Sequence, residues 1–86
     1  MKITYTFPFL RKLKKCTPQL QKEVFSCVKL LEKDMFHLQL KTHKLKGKLK
    51  GNYSCSVNYS VRIIFEFTDA DTIALTVIGD HDIYKI

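Results

Sequence analysis

Apolar and polar positions alternate at the start of the chain. Ile3, Tyr5 and Phe7 fall on one face at a period of two, which predicts a strand over 2–7. Pro8 follows, and proline costs little in the first turn of a helix, where its missing N–H would have had no partner anyway. A short helix is expected from there to about Lys15, with Phe9, Leu10 and Leu13 on its apolar side and Arg11, Lys12, Lys14 and Lys15 on the rest. Thr17-Pro18 reads as a second helix start, a hydroxyl to cap the free N–H groups and a proline at the first helical position. Leu20, Val24, Cys27, Val28 and Leu31 then recur at helical spacing, predicting a helix to about Lys33 whose stripe packs into the core.

Residues 34–51 show no period, a long connection for so short a chain. Beyond them the period of two returns. Tyr53, Cys55, Val57 and Tyr59 alternate with Ser54, Ser56, Asn58 and Ser60, and Val61, Ile63, Phe65 and Phe67 alternate with Arg62, Ile64 and Glu66. Thr68-Asp69-Ala70-Asp71 predicts a turn, and 72–78 a last strand ended by Gly79. Strand, two helices and three hairpin-linked strands predict a small α+β fold. Its twisted, mostly antiparallel four-stranded sheet would carry the two N-terminal helices on one face, with the first strand at an edge or against the last.

Length and composition narrow the class. Eighty-six residues predict a single domain, 1–86, with a small core. The longest apolar run, Ile73 to Ile78, is broken by Thr76 and falls far short of the roughly 20 residues of a membrane span. The alternating start lacks the apolar stretch of a signal peptide, so a cytoplasmic protein is expected. Cys16, Cys27 and Cys55 form no CxxC or zinc spacing and read as reduced thiols, with Cys27 and Cys55 as small core residues; neither metal nor cofactor is expected. The net charge of +7 is uneven: residues 1–50 hold thirteen Lys/Arg against three acids, residues 51–86 two against five. The basic half suits a polyanion, most simply nucleic acid, or else a solvated basic surface.

Three segments carry candidate chemistry. His43-Lys44-Leu45-Lys46-Gly47-Lys48-Leu49-Lys50-Gly51, with Lys41 just before it, contains no acid. Extended, it would set Lys44, Lys46, Lys48 and Lys50 on one side, a spacing suited to a phosphate backbone; the alternative is a solvated loop anchored by its leucines. Arg62 opens an apolar strand, and its planar fork can hold a phosphate through two hydrogen bonds; the alternative is an ion pair with Glu66 on the same face. In the tail, His81 stands between Asp80 and Asp82, which would raise its pKa if close and suit it to proton transfer, or else it belongs to an exposed polar end. Tyr84 could stack on a base or pack on the sheet. Metal-free RNA cleavage needs little more than this: the 2′-hydroxyl is the nucleophile, cations stabilise the phosphate, and histidines move protons.

In this order and spacing, the run from His43 to Gly51, then Ser56-Val57-Asn58-Tyr59-Ser60-Val61-Arg62-Ile63-Ile64-Phe65, then Ile78-Gly79-Asp80-His81-Asp82, resembles toxins of the RelE/ParE superfamily, nearest to its RelE/StbE and YafQ-like branches. The resemblance covers nearly the whole chain. It implies a type II toxin–antitoxin toxin that cuts mRNA on the ribosome, leaving 2′,3′-cyclic phosphate and 5′-hydroxyl ends, and that a co-encoded antitoxin neutralises. By position, Arg62 resembles the family's phosphate-binding arginine, His81 its late general acid, Tyr84 its C-terminal aromatic, and His43 with Lys41, Lys44, Lys46, Lys48 and Lys50 its basic RNA-binding loop. Val61 departs from the pattern, filling a position often held by an aromatic, and Tyr84 follows His81 at an unusually short interval. The ParE branch implies the alternative, a non-catalytic module that binds gyrase, and degenerate members imply one that binds only its antitoxin.

Overall fold

The computed structural model describes residues 1–84, His81 by its backbone alone. The chain opens with strand β1 (Lys2–Tyr5), followed by helices α1 (Phe7–Lys14) and α2 (Pro18–Lys33). After a connection that holds the two-residue strand β2 (His43–Lys44) come β3 (Asn52–Ser56), β4 (Arg62–Asp69) and β5 (Thr72–Gly79). A single 3-10 turn, His81–Tyr84, closes the described chain.

Cap chemistry sets the helix starts. The Thr17 hydroxyl accepts from the Leu20 N–H at 3.1 Å, and α2 begins at Pro18 and ends at Lys33, as its apolar stripe predicts. The first strand stops two residues before its expected end. Thr6 turns its hydroxyl to the Phe9 N–H at 3.3 Å and caps α1, so Phe7 enters the helix and stands 80% exposed instead of continuing the strand face.

The sheet has five strands in the order β1-β5-β4-β3-β2, not the four expected. It is also mixed: β1 runs parallel to β5, Ile3 opposite Ile73 and Tyr5 opposite Leu75, while the other pairings are antiparallel. The two helices carry the chain from β1 at one edge to β2 at the other, and the antiparallel run β2 to β5 then returns to lie beside β1. The missing strand was β2, since two residues carry no readable period. Around it, residues 34–51 form two 3-10 turns: Leu38–Leu40, anchored by buried Leu40, and Gly47–Leu49, entered at a Gly47 φ of 65°.

A β-bulge explains why Thr76 interrupts the last apolar run. Ile64 pairs with Val77 but Phe65 with Leu75, so Thr76 has no partner, and its hydroxyl donates to the Ile64 carbonyl at 3.0 Å. The extra residue lets Leu75 and Ile78, three apart, both face the helices. There they join Phe9, Val24, Val28, Leu31, Ile63 and Phe65 in the core. Removal of those side chains from water, at about 25 cal/mol per Å2 of apolar surface, is what holds the helices to the sheet. The opposite face carries Ser54, Arg62, Ile64, Val77 and Gly79.

Candidate active site

The face turned away from the helices gathers the candidate residues through strand register. His43 of β2 lies opposite Ser54 of β3, which lies opposite Ile64 of β4 and, beyond it, Val77 of β5. The next row on this face is Ser56, Arg62 and Gly79. Directly opposed residues hold their Cβ atoms about 5 Å apart and diagonal neighbours about 7 Å, so Ser54 sits beside His43 and diagonal to Arg62.

His43 is exposed, and its Nδ1 lies 3.0 Å from the Lys41 carbonyl. A carbonyl only accepts, so Nδ1 is the donor in this bond, and in the neutral ring the lone pair is then on Nε2. Lys41 presents that carbonyl from a left-handed backbone conformation, φ 51°, at the end of the Leu38–Leu40 turn.

Arg62 is half-buried and fastened by one nitrogen. Its Nη1 donates to the carbonyls of Asn58 at 2.8 Å, Tyr59 at 3.1 Å and Val61 at 3.2 Å. Asn58 tightens the same turn, its Oδ1 accepting from the Ser60 and Val61 N–H groups at 2.8 Å. Its amide in turn donates to Glu23 of α2 at 3.1 Å, so a helix on the far side of the sheet steadies the turn. Among the described residues, Nε and Nη2 have no hydrogen-bond partner; that edge of the fork is free for two oxygens of a phosphate. The ion pair with Glu66 does not form among the described residues, because four residues of strand separate the two by about 13 Å.

The tail folds back over the same face. Asp80 accepts from the Asp82 N–H at 2.9 Å, and the Tyr84 hydroxyl shares a hydrogen bond with Ser54 Oγ at 2.5 Å. Tyr84 thereby reaches the residue that faces His43, and Ile83 is buried behind it. Gly79 makes this fold-back possible, since a Cβ there would clash with Ile83 Cγ2. The His81 side chain lies outside the described residues; its backbone opens the turn that ends at Tyr84. A cavity of about 400 Å3 lined by Tyr59, Ser60, Asp80 and Asp82 borders the turn that holds Arg62.

The lysine run is not extended. Lys44 pairs with Tyr53, opposite in facing to His43, and Gly47–Leu49 winds into a turn, so the lysines do not form one row. Lys44, Lys46 and Lys50 instead border a cavity of about 620 Å3 floored by Tyr53 and Phe67. Lys41 and Lys48 are exposed.

Two contributors escaped the sequence reading. Ser54 looked like an ordinary polar strand position, and its position opposite His43 was invisible until β2 was placed. Lys12 looked like part of a solvated helix face, yet its Nζ lies 3.5 Å from where a Gly79 Cβ would stand, at the end of β5 where Gly79 pairs with Arg62. Among the described residues, no three His, Cys, Asp or Glu side chains converge as metal ligands.

The fold is shared with solved toxin structures. The chain superposes on the YoeB/ParE toxin from Agrobacterium tumefaciens with a TM-score of 0.78 at 14% identity, covering 94% of this chain and 99% of that one. It matches a chain of the YoeB–YefM complex from Staphylococcus aureus with a TM-score of 0.76 at 21% identity over 94% and 97% of the two chains. A chain of the E. coli DinJ–YafQ toxin–antitoxin complex gives 0.74 at 21% identity over 95% and 93%. No protein-family model and no curated protein matches the sequence.

Proposed function

We propose that this chain is the toxin of a type II toxin–antitoxin pair and acts as a metal-independent endoribonuclease on ribosome-bound mRNA in the cytoplasm. The observation that carries the reading is the single sheet face bearing the half-fastened Arg62 fork, His43 held through Nδ1 and the Tyr84 hydroxyl. The toxin fold and the toxin–antitoxin complexes among its neighbours support it. In this reading His43 takes the proton of the attacking 2′-hydroxyl. Arg62 holds the scissile phosphate and stabilises its growing charge through the free edge of its fork. His81 protonates the departing 5′-oxygen, and Tyr84 orients the phosphate or stacks on the neighbouring base. Lys41, Lys44, Lys46, Lys48 and Lys50 contact the flanking strand. The products are a 2′,3′-cyclic phosphate and a 5′-hydroxyl, with no metal or cofactor.

Single-turnover cleavage measured alongside RNA binding tests this. Arg62→Lys keeps the charge but removes the fork, and most of the activity should go with it. His81→Ala should slow the chemical step about a hundredfold to ten-thousandfold, the usual size of general acid catalysis, with binding little changed. Variants that cut as fast as the parent would sink the site assignment. A parent that cuts nothing, on or off ribosomes, would replace the enzyme with the non-catalytic module.

A further inference from the structure

We propose that Cys27 and Cys55 are a peroxide-sensitive dithiol, a modification site that closes to an intramolecular disulfide tying α2 to β3. Their sulfurs lie 3.9 Å apart in the core between the helices and the sheet, and no residue of the proposed cleavage site is involved. A disulfide needs about 2.05 Å, so the sulfurs must close by just under about 2 Å. Rotation of two short side chains, with slight settling of the helix on the sheet, spans that gap, because α2 is packed on β3 without backbone hydrogen bonds to it.

Burial would shield such a pair from oxidants were it not for a cavity of about 410 Å3 against Cys27. Exposed Ser26 and Gln39 also line it, so a small polar oxidant reaches Cys27 from solvent while Cys55 stays behind it. The two thiols differ accordingly. The hydrogen bond from Cys55 holds the Cys27 thiol below the usual thiol range, against the effect of burial. The same bond, with burial, pushes the Cys55 thiol far up. Cys27 therefore gives up its proton more readily than Cys55, the order that an attacking and a resolving cysteine require.

The chemistry balances with a hydroperoxide as oxidant. The Cys27 thiol gives up its proton and its sulfur attacks one oxygen of hydrogen peroxide; the S–O bond forms, the O–O bond breaks, and the leaving hydroxide takes up the proton that the thiol released and departs as water. Cys27 is now a sulfenic acid. The Cys55 sulfur attacks it, the S–S bond forms, the S–O bond breaks, and the Cys55 proton leaves with the hydroxide as water. Overall, two thiols and one peroxide give a disulfide and two waters. The ring so closed runs from residue 27 to residue 55 and contains the whole lysine segment. Cys16, whose thiol donates to the Lys12 carbonyl at 3.4 Å, lies outside it.

The test uses the full chain with Cys16→Ser, a substitution outside the core. After brief exposure to hydrogen peroxide and removal of the excess, the protein is unfolded in guanidinium with a maleimide and weighed intact. Maleimide incorporation should fall from two to none, with a mass lower by two hydrogens and a peptide joining residues 27 and 55; reductant should restore both thiols. The parent chain should retain one label, at Cys16. Two labels after exposure, oxygen added to Cys27 without a cross-link, or a disulfide between two chains would each overturn the proposal.

Discussion

Ser54 shows how a residue with no distinctive chemistry acquires a place in a site. It is wholly buried, yet every polar atom is accounted for because the Tyr84 hydroxyl meets it. Removing one partner of such a bond costs the bond and leaves the other to find water; Tyr84 is only half-buried and can do so. Ser54→Ala should therefore destabilise the chain by about 1 kcal/mol and leave most of the cleavage rate. Tyr84→Phe leaves the wholly buried Ser54 hydroxyl without that partner and should cost more, about 1–3 kcal/mol; it should also lower single-turnover cleavage by at least about tenfold, since the proposed reading sets this hydroxyl beside the reacting phosphate. Urea unfolding and cleavage run on both variants separate the two effects; equal rates for the pair would take the Tyr84 hydroxyl out of the chemistry.

At the scale of elements, two short segments carry most of the proposed function. The closing turn depends on Gly79, whose missing Cβ leaves room for Ile83. Because Gly79 is not in the left-handed region, the cost of Gly79→Ala is steric alone. Overpacking of this kind costs roughly 1–3 kcal/mol, and relief by lifting the turn would carry Tyr84 away from Ser54. Loss of stability in urea and of cleavage together is the expected outcome; an unchanged rate would mean that the turn does not position the chemistry. The lysine segment answers to salt. If its side chains touch phosphates, each contact removed should flatten the log–log dependence of RNA affinity on salt by about 0.7. Lys44→Ala with Lys46→Ala should show this most clearly, since both border the Tyr53 and Phe67 cavity. An unchanged slope would make the loop a solvated one.

Across the whole molecule, charge and exposed apolar surface point to a macromolecular partner. Phe7 and Phe25, 80% and 65% exposed, stand on α1 and α2 among the basic residues of the N-terminal half. The proposed antitoxin would cover such a surface with an acidic, apolar segment. A ligand that binds only the folded chain stabilises it by about 2.7 kcal/mol at a hundredfold excess over its Kd. The melting temperature should therefore rise when the co-encoded protein is added and fall back in high salt, where charge attraction is screened. No rise, and no co-purification, would remove the antitoxin from the reading.

Local chemistry settled a large part of this fold. Thr17, Pro18 and the stripe from Leu20 to Leu31 define α2 from end to end, because a cap and a helical period act within a few residues of each other. The alternation of β4 and β5 is equally local, and Arg62 is recognisable as a lone arginine opening an apolar strand. What lay beyond the sequence is non-local. The sequence places the first strand at an edge or against the last, and it is both; the parallel sense of that pairing, between residues about seventy positions apart, and β2, which exists only because β3 offers it an edge, are not in the sequence. The partner of a strand is decided by which apolar faces must be buried together, and no short window of sequence contains that information. For the same reason the row of His43, Ser54 and Tyr84, the arrival of Lys12 at Gly79 and the facing sulfurs of Cys27 and Cys55 come from register and packing alone, while the residue types able to do chemistry were visible from the start.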